Sequence, residues 1–314
     1  QDCKEDYLAV AVADEGRELR NAGITTSIMV MNPERTSFKL LFDYKLEPEI
    51  YSFHLLEELI RAAEHNGITN FPIHIKIDTG MHRLGFAPSD IPELVRRLKR
   101  QTAVIPSSVF SHFAGSDSAY FDDYSELQVE RFKMAADTLQ EAFRHYIARH
   151  ICNSAGIERL PQQHFDMVRL GLGLYGVNPH TNQMLHNVST LKTTILQIRD
   201  VPQEDSVGYS RKGRLNRDSR IAAIPIGYAD GLNRRLGNGN AYCMVNGKKA
   251  PYVGNICMDV CMIDVTDINC KEGDKVIVFG DELPVTVLSD VLGTIPYEIL
   301  TSVSNRVKRI YYQN

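Results

Sequence analysis

In His74-Ile-Lys-Ile-Asp-Thr-Gly-Met-His-Arg-Leu-Gly-Phe86, Ile75 and Ile77 alternate with His74, Lys76 and Asp78. With Ile73 just before them, they give the period of two that marks a β-strand. Thr79-Gly80 breaks the strand, and Arg83 follows on the loop. A cation just beyond a strand end stands where barrel folds place their chemistry. Lys76 and Arg83 at this spacing suggest a place for an anion, since a planar guanidinium can grip a carboxylate through two bonds. A lysine stem lying along apolar surface and an exposed arginine would read the same way. The flanking sequence separates the two.

Working outward, the same unit recurs. Tyr7 to Ala13 reads as a short buried strand, and Asp14 to Ala22 as a helix with acidic residues in its first turn and Gly23 after it. Strands follow at Ser27–Met31, Glu49–Ser52, Val104–Ser111, His150–Cys152 and His164–Leu174. Helices are expected at Leu55–Asn66, Ile91–Arg100 and Asp122–Tyr146, the last with Phe132, Ala135, Ala136, Leu139 and Phe143 on one stripe. Together with Ile73–Ile77 this makes seven strands alternating with helices, the rhythm of right-handed βαβ units. The expectation is an α/β (β/α)8 TIM-type barrel whose first βα unit is missing, the eighth strand being placed before residue 1.

From about Asn187 the rhythm changes. Strands at Thr190–Ile198, Arg220–Pro225, Ala241–Val245, Asp259–Asp264 and Lys275–Phe279 are joined by turn chemistry such as Asn246-Gly247. Only Thr286–Leu292 and Pro296–Ser302 read as helices there. A mainly β domain over residues 185–314 is therefore expected behind a barrel over 1–184, with the boundary near 180–188.

Composition narrows the function. The 314 residues are 43% hydrophobic and 24% charged, values of an ordinary globular protein. A net charge of -4 offers no basic field for nucleic acid or anionic membrane. No apolar run approaches the roughly 18 residues of a membrane span, and no signal peptide opens the chain. Six cysteines without a secretory signal read as reduced thiols of a cytoplasmic protein. Cys257 and Cys261 share a strand face without a further ligand beside them, so no metal site is expected.

Gly171-Leu-Gly-Leu-Tyr-Gly176 matches the dinucleotide fingerprint in its letters, but no helix opens after it and no acidic residue follows at the required distance. Glycines at the end of a late barrel strand suit instead the phosphate site that barrels build there, with Ser154 able to add a hydroxyl. They would equally permit a tight barrel corner. Arg169 would lie near the barrel mouth with His112, His150 and Arg83, four candidates at strand ends on one face.

Ile75-Lys-Ile-Asp-Thr-Gly-Met-His-Arg-Leu-Gly85, Ser111-His-Phe-Ala114, Asn153-Ser-Ala155, Val168-Arg-Leu-Gly-Leu-Gly-Leu-Tyr-Gly176, Val207-Gly-Tyr209, Ile226-Gly-Tyr-Ala-Asp-Gly231, Val253-Gly-Asn-Ile-Cys-Met-Asp259 and Pro296-Tyr-Glu298 together resemble alanine racemase, in order and spacing, from residue 8 to the C-terminus. The resemblance implies a barrel holding pyridoxal 5'-phosphate, a β domain behind it, and a head-to-tail homodimer that interconverts L- and D-alanine for peptidoglycan.

By the same resemblance, Tyr209 is the acid/base on one face of the substrate, reaching across the dimer. A tyrosine with pKa near about 10 needs a partner to serve as a base at neutral pH. His112 and Arg169 match the hydrogen-bonded chain between that tyrosine and the cofactor ring, with Arg169 facing the pyridine nitrogen, and His150 is counted with the cofactor-binding residues. Ser154, the backbone at Gly171 and Leu172, and Tyr297 match phosphate ligands. Arg83 matches the residue at the cofactor's phenolic oxygen and the substrate carboxylate. Met258, also across the interface, matches a second carboxylate contact, Tyr228 a gate at the entrance, and Lys76 a lysine often carbamylated.

One matching element is absent. The family's first strand ends in a lysine within Lys-Ala-x-Ala-Tyr-Gly, which the resemblance makes the Schiff-base anchor and second base; Lys4 precedes a strand rather than ending one. These residues alone are therefore expected to be inactive, the missing unit having been cut away or belonging to a longer polypeptide such as a fusion behind a Mur ligase. A racemase of the same fold for serine or lysine, or a non-catalytic PLP-binding remnant, are the other readings.

Overall fold

In a computed structural model of the chain, residues 5–312 are described; Lys4 lies outside them. The chain forms two compact units, Gln1–Leu170 and Gly171–Asn314.

The first unit alternates strands and helices: β1 (Tyr7–Val10), α1 (Ala13–Asn21), β2 (Ser27–Val30), α2 (Phe38–Asp43), β3 (Glu47–Ile50), α3 (Phe53–His65), β4 (Phe71–Lys76), α4 (Ile91–Leu98), β5 (Val104–Phe110), α5 (Asp122–Ala142), β6 (Ala148–His150) and α6 (Ser154–Arg159). All six strands are parallel and stand in chain order, each beside the next. That sequential order belongs to a barrel rather than to a doubly wound sheet, whose order reverses at a switch point.

Local chemistry sets these elements. Ser52 caps α3 by accepting from Leu55 N at 3.2 Å, and the helix buries Leu55, Leu56, Leu59 and Ala63. α5 buries Val129, Phe132, Ala135, Ala136 and Leu139, close to the expected stripe, and stops at Ala142 rather than Tyr146. Ile73, Ile75 and Ile77 are wholly buried in the same cluster as these helix residues. The opposite face of β4 is buried as well, with His74 0% and Lys76 5% exposed. Alternation here separates two buried faces, one apolar and one polar, as barrel strands allow.

The strand expected at His164–Leu174 does not form. Two hydrogen bonds run beside β6, Asp166 N to Arg149 O and Arg169 N to Cys152 O. Phe165 has φ 51°, outside strand geometry, and Leu172–Tyr175 close a 3-10 turn. Six strands, not seven, therefore make this sheet among the described residues.

The second unit contains β7 (Leu191–Thr194), β8 (Gln197–Val201), β9 (Ser206–Val207), β10 (Gly213–Arg214), β11 (Ser219–Ile224), β12 (Tyr242–Val245), β13 (Lys248–Val253), β14 (Cys261–Asp264), β15 (Lys275–Phe279), α7 (Val285–Leu292) and α8 (Pro296–Ser302). Its main sheet has seven antiparallel strands in the order β7-β15-β12-β13-β14-β11-β8. The single strand expected at Thr190–Ile198 is split at Ile195-Leu196, which carries the chain from one edge strand to the other. A two-residue link between opposite edges requires the sheet to curl upon itself. Asn246-Gly247, both with positive φ (48° and 74°), make the tight turn between β12 and β13. No helix among the described residues is long and apolar enough to cross a membrane.

Candidate active site

In the first unit, the polar groups gather where β3, β4, β5 and β6 end. Glu49, Lys76 and His150 are buried there, with Phe110 between them as a plate. His150 stacks on the Phe110 ring at 4.7 Å with planes 3° apart, while Lys76 Nζ lies 4.3 Å and Arg169 Cζ 5.1 Å from its centroid.

Arg169 is the hub. Its Nη1 is 2.6 Å from His150 Nδ1, and its Nη2 donates to Ser111 O at 2.7 Å and Ile151 O at 3.1 Å. Desolvation draws the guanidinium down to about 10, which still leaves it protonated at neutral pH. The same burial, with Arg169 beside it, holds His150 well below the usual imidazole range.

His112 is bound differently. Its Nδ1 is 3.4 Å from Arg169 Nη2 and its Nε2 3.5 Å from Asn153 Nδ2, both at the long limit. Both protons of Nη2 already have closer carbonyl acceptors, so among the described residues the His112 ring has no strong partner. Burial, then Arg169, Lys76 and Arg83, lower it to about 3. At neutral pH it is an uncharged imidazole able to take either tautomer.

The loop bearing Arg83 is closed by short-range and long-range bonds. Asp78 Oδ1 accepts from Gly80 N at 2.9 Å and His82 N at 3.0 Å. Phe86 N returns to Lys76 O, and Asp78 N to Phe86 O, each at 2.9 Å. Three α5 side chains pin the loop's first turn: Tyr124 Oη to Gly80 O at 2.7 Å, Gln128 Nε2 to Thr79 Oγ1 at 3.1 Å, and Arg131 Nη1 to Thr79 O at 3.0 Å. Nothing in the periodicity of α5 announced these roles; polar residues on an otherwise apolar stripe were the only signal. Arg83 itself stays exposed.

Lys76 Nζ and Glu49 Oε2 are 3.8 Å apart. Burial raises Glu49 and lowers Lys76, each held back by the other's charge. Ser154 opens α6, where Asn153 Oδ1 caps Gly156 N at 3.0 Å and accepts from Ser116 Oγ at 2.8 Å.

In the second unit, the expected residues form two groups. Tyr297, at the start of α8, lies with its ring 6.4 Å from that of Tyr175. Burial raises its hydroxyl, while a backbone hydrogen bond from Leu172, next to Gly171, draws it back. One N–H and one hydroxyl thus meet at the 3-10 turn. Tyr209, Tyr228 and Met258 make up the second group and are 68%, 45% and 53% exposed. Asn255 Nδ2 donates to Tyr209 O at 3.2 Å, and Tyr228 N and Ala229 N donate to Cys257 O and Met258 O at 3.0 Å.

Comparison with known proteins identifies the family. Residues 2–179 match the alanine racemase N-terminal domain and residues 188–311 the alanine racemase C-terminal domain. Alanine racemase 1 of Clostridium acetobutylicum is 38% identical over 98% of this chain and 82% of its own length. The alanine racemase structure from Clostridium difficile 630 superposes with a TM-score of 0.92 at 34% identity, over 99% of this chain and 83% of that one. The Bartonella henselae alanine racemase, solved with covalently bound pyridoxal phosphate, gives 0.88 at 30% identity over 99% and 86%.

Proposed function

The chain belongs to the alanine racemase family, isomerases that interconvert L- and D-alanine, and from that premise we propose a two-base reaction in which Tyr209 is one base. The family implies pyridoxal phosphate. When bound, that cofactor supplies an electron sink that loosens the hydrogen on the substrate's α-carbon.

The residues present fit it. The observation that carries the reading is Arg169, a guanidinium enclosed at the strand ends with His150 and two carbonyls fixing its orientation. A group that does not give up its proton keeps a facing ring nitrogen unprotonated, which limits how much charge the ring withdraws. The Tyr297 hydroxyl, standing beside the N–H of Leu172, is a donor to phosphate in this reading, with Gly171, Leu172 and Ser154 as further ligands. Arg83 takes the substrate carboxylate, with Met258 backbone as the second contact and Tyr228 limiting access. Lys76 is the residue for carbamylation, since burial moves its ammonium toward the neutral amine, which attacks carbon dioxide and releases a proton to give the carbamate.

His112 works as the adaptable link: uncharged and loosely held, it can turn either a donor or an acceptor nitrogen toward Tyr209 while Arg169 keeps its proton. The exposure of Tyr209, Tyr228 and Met258 supports a homodimer in which Tyr209 and Met258 serve the partner's barrel. The second base, a lysine in this reading, is not among these 314 residues. The biological role we assign is cytoplasmic supply of D-alanine for peptidoglycan, by a barrel over residues 1–184 and a β domain over 185–314.

Tyr209→Phe in the native enzyme tests the assignment. General acid–base catalysis contributes about 10²–10⁴-fold, so kcat should fall by at least about 100-fold. Unchanged racemisation of alanine would sink it, and a faster rate with serine or lysine would move the substrate.

A further inference from the structure

The contact between Arg169 and His150 continues inward. His150 Nε2 lies 3.0 Å from Ser108 Oγ, Ser108 Oγ 2.7 Å from His74 Nδ1, and His74 Nε2 3.0 Å from Glu47 Oε2. Tyr7 closes the far end, its hydroxyl donating to the same carboxylate oxygen at 3.1 Å and its ring meeting His74 edge-on at 5.4 Å. Ser108, His74 and His150 are 2%, 0% and 0% exposed. The line crosses β6, β5, β4 and β3, through positions that a barrel usually fills with branched apolar side chains.

The direction of each proton follows from the donors. A guanidinium only donates, so His150 Nδ1 accepts and its one proton sits on Nε2. That N–H donates to Ser108, whose hydroxyl proton goes to His74 Nδ1. His74 then carries its proton on Nε2 and gives it to Glu47. The reversed His74 tautomer would set a bare ring nitrogen against a carboxylate. A doubly protonated His74 would leave the Ser108 proton without an acceptor along the line. Burial pushes the Glu47 carboxyl up, but its interactions with His74, followed by hydrogen bonds from Ser27 and Tyr7, outweigh that and hold it below its usual range.

We infer that Glu47, His74 and Ser108 are positioning residues for the racemase site, forming a one-way hydrogen-bond line that ends on a buried carboxylate. By fixing His150 as an acceptor, the line commits one arm of Arg169 and sets the plane in which its remaining N–H groups point. The inference rests on the racemase reading for its purpose, but the proton arrangement does not depend on that reading.

The test has two arms. In the first, the chain labelled with [15N]histidine is examined by NMR at neutral pH without cofactor. His74 and His150 should both be neutral with the proton on Nε2, and Ser108→Ala should release His74 into a mixture of tautomers. A proton on Nδ1 or a doubly protonated ring at either position overturns the inference, as does a His74 signal unmoved in Ser108→Ala. In the second arm, Ser108→Ala and Glu47→Gln in the native enzyme should shift the absorbance of bound pyridoxal phosphate. They should also lower kcat several-fold with little change in KM, and Ser108→Thr should restore both. A broken line with unchanged kcat and absorbance overturns the positioning role. Absence of racemisation in the unmutated native enzyme faults the racemase reading instead.

Discussion

Glu49 and Lys76 face each other on β3 and β4 with 3.8 Å between carboxylate and ammonium, and Glu49 Oε1 has no hydrogen-bond partner among the described residues. Two ionisable groups, each at most 6% exposed in its side chain, thus hold each other's charge where water does not reach. Breaking such a pair leaves an uncompensated charge, whereas removing both need not be harmful. Glu49→Gln or Lys76→Met alone should cost about 3 kcal/mol, at the low end for buried pairs because the survivor can neutralise itself. The double variant should lie well nearer the parent than the sum of the two. Urea unfolding of the four chains gives the coupling, and strict additivity would mean that the pair is not formed.

Acid should destabilise the fold through its histidines. His112 is lowered from 6.5 to about 3, so between those values the unfolded chain holds a proton that the folded site refuses. Stability is then intact above pH 6.5 and falls as the pH drops through that window, by up to about 1.4 kcal/mol per pH unit for each such histidine. His150, lowered in the same sense, adds to the slope. His112→Asn should make the pH dependence of the unfolding midpoint measurably shallower between pH 6 and about 4.

Much of the fold was legible because it is local. β1, β2, β4 and β5 announce themselves through short apolar runs, and α1, α3, α4 and α5 through helix-end signals and stripes. By contrast, β3 and β6 begin two residues before the stretches that mark them, and α2 and α6 carry no such signal. The motif loop at Asp78–Phe86 could be placed at a strand end because Thr79-Gly80 interrupts a period of two. What escaped lies in pairings between distant residues. His74 meets Glu47 across 27 residues and Ser108 across 34, and Arg131 reaches Thr79 across 52. No periodicity encodes those distances. β3 was read from Glu49 onward, because Glu47-Pro-Glu49 looks like solvated sequence until a closed interior is there to receive it. At His164–Leu174 the converse holds: an apolar, glycine-bearing run has the look of a strand but makes only two hydrogen bonds beside β6 and then closes into a 3-10 turn.

Mixing inactive chains should restore activity. If Tyr209 serves the neighbouring barrel, a hetero-dimer of Tyr209→Phe and Arg169→Leu chains carries both lesions in one site and none in the other. Random reassortment makes half the dimers mixed, so about a quarter of the parental activity should return. An assay after co-expression or refolding together decides it. No recovery would place Tyr209 at its own barrel.

Tyr297→Phe removes one of the two donors that meet at the 3-10 turn. A hydrogen bond to a charged group contributes about 1.5–3 kcal/mol, so pyridoxal phosphate should bind roughly tenfold or more weakly. Equilibrium titration followed by cofactor absorbance measures this, and an unchanged dissociation constant would remove Tyr297 from the phosphate site.

Gly227 abuts the chain that carries Met258 so closely that a Cβ there would stand 2.3 Å from Met258 O and 2.4 Å from Cys257 O. The two hydrogen bonds from Tyr228 and Ala229 lace the same segments together. If Tyr228 gates the entrance and Met258 holds the carboxylate, as proposed, selectivity and grip are mechanically geared: a change that widens the passage at Tyr228 would drag the Met258 backbone with it, leaving little freedom to accept a bulkier amino acid without loosening the hold on the carboxylate.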